Sequence, residues 1–426
     1  MERRVVDRPI ENHETPSFPD ASSPPFGLTW TQATQILANF QLEYTLRFPF
    51  IRISQDIRAE ELYNYQPFLF RAIMLIAAPV PLQRLVKMKR NTLAYLGYRM
   101  LVEEEKSLDL LQGLSVVIAW ISTKHARRNP LDTPHIDTCC KAIAEAQDRP
   151  SELILDHIVR LTQMNEKLSK GFGEPHERTI SGPYAFLLEG NGRRFRTELD
   201  RLAEESAHPD LAKDRVTFDL YHQYLLVRLY EPAVVVAEHP DEGVAPFIYL
   251  SLCLRNSLDA MKSFFDLLLS SSIEATLRYS ITTSDHAVFV MVMAARLLLI
   301  TTPDWDAQSA RQTVDLSAML DRFLDRIDHA EALRKRSIHA FTAVETTGSL
   351  LEEEDGKSSL SDLAQKTRSL KVWFEARLQG RTIGEGPFLE STRESIGKKT
   401  EDGDSEGGTT WSGGLLGNMA WNFDSL

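Results

Sequence analysis

The chain has 426 residues, 43% of them hydrophobic and 25% charged, with a net charge of −12 at pH 7. That length suits two or three ordinary domains, or one large domain with tails, and the apolar share can fill a sizeable core. The negative balance argues against a protein that grips nucleic acid over its whole surface, because phosphate contacts need clustered Lys and Arg.

Residues 1–27 are rich in Pro, Ser and charge and hold no apolar signal core, so they read as a disordered leader or linker. Order is expected to begin at "LTWTQATQILANFQLEYTLRF", where Ile36, Leu37, Phe40 and Tyr44 share one helical face. Pro49 should stop that helix, and Pro67 suits the first turn of the next one. "FLFRAIMLIAA" is apolar on nearly every side, which predicts a helix buried all round. "KSLDLLQGLSVVIAW", 106–120, is a second near-continuous apolar helix, and the proline-bearing stretch 125–140 reads as a loop. Ser151 is placed to cap a helix over 151–170, with Ile154, Ile158 and Leu161 on one face. A loop and a polar helix follow.

The helix starting at 215 is expected to stop at Pro232. A long amphipathic helix covers 247–270, and a buried one covers 284–301. The apolar run "AVFVMVMAARLLLI" is too short to span a bilayer and contains Arg296, so it reads as a core helix and not a membrane segment. Residues 304–327 are amphipathic again, 351–360 form an acidic linker, and 360–378 form a last amphipathic helix. Residues 379–426 are low in large apolar residues and rich in Gly, Ser and charge, which predicts disorder. No series of alternating strands with turn punctuation occurs, so the fold is expected to be all-α.

Catalytic signatures are scarce. No His-Glu-x-x-His zinc helix is present, and the phosphate-loop spacing fails because Thr392 stands where the first glycine should be. Three cysteines, Cys139, Cys140 and Cys253, are an odd number without framework spacing, which favours a reducing compartment. His125, His135, Asp137, Cys139 and Cys140 cluster in sequence, but adjacent cysteines do not both face one tetrahedral zinc, so no metal site is assigned. His157, His222 and His286 lie in helices among apolar neighbours and read as hydrogen-bonded core residues. Cys253 reads as a small core side chain. The pairs Glu103–Glu105 and Glu352–Asp355 read as solvated ends. Two basic patches, Lys87, Lys89 and Arg90, and Arg334, Lys335 and Arg336, are candidates for nuclear import or phosphate contact.

Six blocks, "FQLEYTLRFPFIRI", "PFLFRAIMLIAA", "EEEKSLDLLQGLSVVIAW", "LYHQYLLVRLYEPA", "CLRNSLDAMKSFFDLLLS" and "DWDAQSARQTVDLSAMLDRFLDRI", occur in that order. Together they resemble the middle homology region of fungal zinc binuclear cluster transcription factors, in the subgroup of secondary-metabolism and protease regulators. The resemblance covers about residues 28–330. It implies a large multi-helix regulatory domain over 28–345, between disordered N- and C-terminal tails, with an acidic linker and helix at 346–378. It also implies a nuclear role in transcription and a C-terminal activation segment in which Trp411, Trp421, Phe423 and Leu426 are candidates, and no cofactor is assigned. That family opens with six zinc-binding cysteines that place a helix in the major groove. Three cysteines do not supply that cluster, so no DNA-binding residue is assigned. The expected partner is a DNA-bound transcription factor or a coactivator, with homo- or heterodimers open. Truncation of a longer zinc-cluster factor is open too. Two other readings stand beside this one: a helical scaffold, and an all-α enzyme tested first at the three histidines.

Overall fold

A computed structural model describes residues 24–45, 48, 51, 53–121, 138, 150–172, 182–207, 215–238, 248–343 and 359–380. Among them there is no strand; helices make up the fold, as the sequence pattern predicts. They surround two hydrophobic cores, one N-terminal and one C-terminal.

The N-terminal core is organised around α3, Pro67–Ala77. Packed about it are α1 (Trp30–Asn39), α2 (Ala59–Tyr65), α4 (Leu82–Gly97) and α5 (Leu108–Ile121). Pro67 occupies the first turn of α3, where its missing N–H costs nothing. Phe68, Leu69, Phe70, Ile73 and Met74 are all fully buried, so α3 is buried all round. Thr29 caps α1 in a reciprocal box with Gln32. The helix then widens into a π turn, Phe40–Tyr44, and Ile36, Leu37, Phe40 and Tyr44 are buried as their spacing predicts. Pro49 lies outside the described residues. Composition assigns Pro24–Gly27 to the leader, yet they are packed: the Phe26 carbonyl accepts from Arg84 at 3.1 Å, and the Phe26 ring lies beside the Arg71 guanidinium.

The C-terminal bundle is built around α8, Arg215–Glu238. Its neighbours are α6 (Pro150–Phe172), α7 (Gly182–Glu205), α9 (Ile248–Ser270) and α11 (Ile281–Leu299). Two findings correct the sequence reading here. Ser151 lies inside the first turn of α6, because Pro150 is already helical. Pro232 does not stop α8, which continues to Glu238. Proline inside a helix costs ~3 kcal/mol. Burial of Ala233, Val234 and Ala237 offsets that cost, and the Arg296–Glu238 ion pair holds the helix end.

A third correction concerns 304–327, which is two helices, α12 (Ala307–Thr313) and α13 (Leu316–Ala343), after the short α10 (Ile273–Thr276). Asp306 accepts from the Ser309 N–H at 2.9 Å and Asp315 from the Ala318 N–H at 3.0 Å, so each aspartate starts its own helix. The last helix, α14 (Ser359–Leu378), packs on α13 and α11 and belongs to the bundle.

Within α11 the window Thr282–Leu299 is long and apolar enough to cross a membrane, a length the shorter sequence run concealed. Its packing decides its role. The window is 67% buried among protein side chains, and Arg296 bonds Met293 and Glu238 inside the bundle. The cores meet where α11 touches α5 and where Arg278 pairs with Glu43 at 2.6 Å. Phe341 of α13 also packs against the N-terminal core.

Candidate functional site

A group of ionisable and aromatic side chains lies between α8 and α11. His286 stacks on Tyr224 with ring centroids 3.7 Å apart and planes 14° apart. The Tyr221 ring centroid lies 4.8 Å from that of His286 and 6.0 Å from that of Tyr224, and Tyr221 donates to Thr162 Oγ1 at 3.3 Å. One turn further along α8, the Arg228 guanidinium stands 5.1 Å from the Phe289 ring and pairs with Glu231. The spacing 221, 224, 228, 231 is one helical face, which is why four polar groups converge. Burial pushes the His286 imidazole down to about 3, and the Arg228 charge adds to that shift. His286 is therefore neutral near pH 7. Burial raises both tyrosines, Tyr221 and Tyr224.

This arrangement orients rings and holds one guanidinium. It does not place a nucleophile against a base. His222 bonds the Leu199 carbonyl at 3.1 Å, and Phe218 lies between the rings of His222 and His157 at 6.0 and 5.9 Å. The nearby recess among Thr217, Leu220, Tyr279, Ser280 and Thr283 holds about 10 Å³, room for one water molecule. Cys253 is buried, and desolvation pushes its thiol up to about 12. Among the described residues no group of three or more His, Cys, Asp and Glu side chains is placed to hold a metal.

Of the basic candidates, Lys87 and Arg90 are exposed on α4, with Lys89 half-buried. Arg334 on α13 is tied to Glu331 at 2.6 Å, while Lys335 and Arg336 are exposed. The two patches lie on separate helices. Glu103 and Glu105 both pair with Arg99, at 2.7 and 2.5 Å, so they are an ion-pair cluster and not merely solvated ends. His125, His135, Asp137, Cys139, Cys140, the pair Glu352–Asp355, and Trp411, Trp421, Phe423 and Leu426 lie outside the described residues. So does Gly403-Asp404-Ser405-Glu406-Gly407, which spells a nucleophile-elbow pattern. That pattern gains meaning only on a strand-to-helix turn.

One surface feature was not read from the sequence. α5 is apolar enough to be taken for a core helix, yet Leu108, Leu111 and Ile118 are exposed on its outer face. The signal is the spacing of its small and polar residues, Asp109, Gly113 and Ser115, which leaves two apolar faces instead of one.

Comparison with known proteins adds a direction. A family model, ATEG07667_C, described as a C-terminal domain, matches residues 286–421. Three curated relatives are similar over most of the chain. A "Transcription factor" of Aspergillus terreus is 22% identical over 332 residues, covering 70% of this chain and 55% of the relative. "Transcription factor opdL" of Penicillium oxalicum is 21% identical, covering 72% of this chain and 67% of the relative. "Transcription factor himD" of Aspergillus japonicus is 23% identical, covering 70% of this chain and 62% of the relative. The chain thus spans little more than half the length of the first of these and about two thirds of the others. No solved structure matches it.

Proposed function

We propose that this chain is the helical regulatory part of a fungal transcription regulator that controls a secondary-metabolism gene cluster. The observation that carries this reading is the similarity to three curated fungal transcription factors across 70–72% of the chain. The all-helical architecture and the ring stacking of His286 on Tyr224 fit the same reading.

In this account the two cores form a platform for protein contacts. Lys87, Lys89 and Arg90, or Arg334, Lys335 and Arg336, serve nuclear import. In this reading the regulatory part acts together with a DNA-bound transcription factor or a coactivator. Trp411, Trp421, Phe423 and Leu426 sit among small and acidic residues that keep them solvated, which suits capture by a coactivator groove.

The test is transcript profiling of a deletion strain and an overexpression strain. The expected result is a coordinated change in a contiguous set of genes. Unchanged transcripts in both strains would sink the proposal.

A further inference from the structure

The buried seam of α13 ends before the helix does. Ile327 and Ala330 are fully buried, yet no side chain from Glu331 to Thr342 is buried, and α13 runs on to Ala343. Glu331, Arg334, Ile338, Phe341 and Thr342 are half-buried along one stripe, while Ala332, Lys335, Arg336, Ser337, His339 and Ala340 are exposed. Phe341 packs against the N-terminal core, so the tip of a helix from the C-terminal bundle rests on the other core. A helix end held by so few buried groups opens locally at low cost.

This stretch reads Arg334-Lys335-Arg336-Ser337. Arg334 pairs with Glu331 at 2.6 Å, a partly exposed contact that holds the end only weakly. Ser337 Oγ has no hydrogen-bond partner among the described residues, whereas Thr342 Oγ1 on the same helix donates to the Ile338 carbonyl at 2.9 Å. Ser337 stands four residues before Phe341, so the two side chains are neighbours on the helix surface.

We propose that Ser337 is a phosphoacceptor for a protein kinase that selects basic residues before serine, and that the phosphate frees the Phe341 end of α13 from the N-terminal core. Three cations directly before the hydroxyl suit a kinase groove lined by carboxylates, because guanidinium–carboxylate pairs fix the register of the bound segment. Such a groove takes an extended segment, and local opening of the weakly held helix end supplies one. Ser337 Oγ attacks the γ-phosphorus of magnesium-bound ATP, the bond to the bridging β-phosphate oxygen breaks, ADP leaves, and the hydroxyl proton passes to the carboxylate base of the kinase. The product carries about two negative charges beside Phe341, and a hydrated dianion disrupts an apolar contact at that distance. It also competes with Glu331 for Arg334, one turn back. The part of α13 up to Ala330 keeps its buried seam and stays in place. This inference does not rest on the transcriptional reading.

The test uses the full chain, a basophilic protein kinase and MgATP. Fragment mass spectrometry should find a phosphate on Ser337. S337A, altered at an exposed position, should keep the circular dichroism of the parent and lose that phosphate alone. R334A/K335A should slow phosphorylation of Ser337 about tenfold, through the lost charge complementarity. Hydrogen exchange over 331–342 should quicken about tenfold when the parent is phosphorylated, and not in S337A treated alike. If Ser337 stays unmodified while a basic control peptide is phosphorylated, the site is overturned. A rate indifferent to R334A/K335A overturns selection by the basic residues. Phosphorylation that leaves exchange over 331–342 unchanged, or slows it, overturns release of the helix end.

Discussion

The carboxylate of Asp109 accepts the backbone N–H of Phe68 at 3.0 Å, and that of Leu69 at 2.8 Å, across about forty residues of chain. A side chain of α5 thus caps the N-terminus of α3, which has no cap of its own from Gln66. D109A should lower stability by about 2 kcal/mol, because two buried N–H groups lose their acceptor. D109N, which keeps one oxygen, should lose about half of that. Urea denaturation followed by circular dichroism measures both.

The same residue sets a pH dependence. Burial raises the Asp109 carboxyl above its ordinary range, and the two backbone N–H groups only partly oppose that. Between the ordinary value and the raised one, the folded chain holds more protons than the unfolded chain. Its contribution to stability therefore falls as pH rises through that window. D109N should remove this falling component from a plot of stability against pH.

His286 has the opposite sign. Its folded value is pushed down to about 3 from an unfolded value near 6.5. Between those values the unfolded chain binds the extra proton, so stability is lost as pH falls below about 6.5. H286F should keep the stacking on Tyr224 and flatten this acid-side loss. Denaturation midpoints of parent and variant at pH 7.5 and pH 5 decide it, and equal slopes would contradict the burial.

Gly113 is where α5 comes closest to α3. A Cβ added there would stand 2.4 Å from Phe68 Cδ1 and 3.1 Å from the Leu69 nitrogen. G113A gains ~1 kcal/mol of helix propensity and loses ~1–3 kcal/mol to overpacking, and it should be destabilised overall by ~1 kcal/mol. An unfolding midpoint at or above the parent value would mean that the helices can separate.

Cys253 should be inert in the folded chain, since burial holds its thiol as the neutral form with a value of about 12. With C139S/C140S in place, iodoacetamide should label the chain only after denaturation. Mass spectrometry counts the labels.

Much of the fold was legible because the strongest signals were local. Apolar residues on every side of "FLFRAIMLIAA" announced a fully buried helix, and Pro67 marked its start. The failures have physical causes. Pro232 reads as a stop because propensity is a local quantity, and the Arg296–Glu238 anchor at the end of α8 comes from a helix far along the chain. The split of 304–327 was written in Asp306 and Asp315, whose capping role amphipathic spacing alone hides. The Asp109 cap and the convergence of Tyr221, Tyr224 and His286 depend on which helices meet, and no spacing within one helix encodes that. The exposed face of α5 was hidden by its own composition, since an apolar residue reads the same whether it meets a core or a partner.

The most direct test of the transcriptional account is to fuse the chain to an unrelated DNA-binding domain and read a reporter gene in a fungal host. The account predicts that reporter output departs clearly from that of the DNA-binding domain alone, and that deleting residues 379–426 returns it toward that baseline. Output equal to the baseline with the full chain present in the nucleus would contradict it.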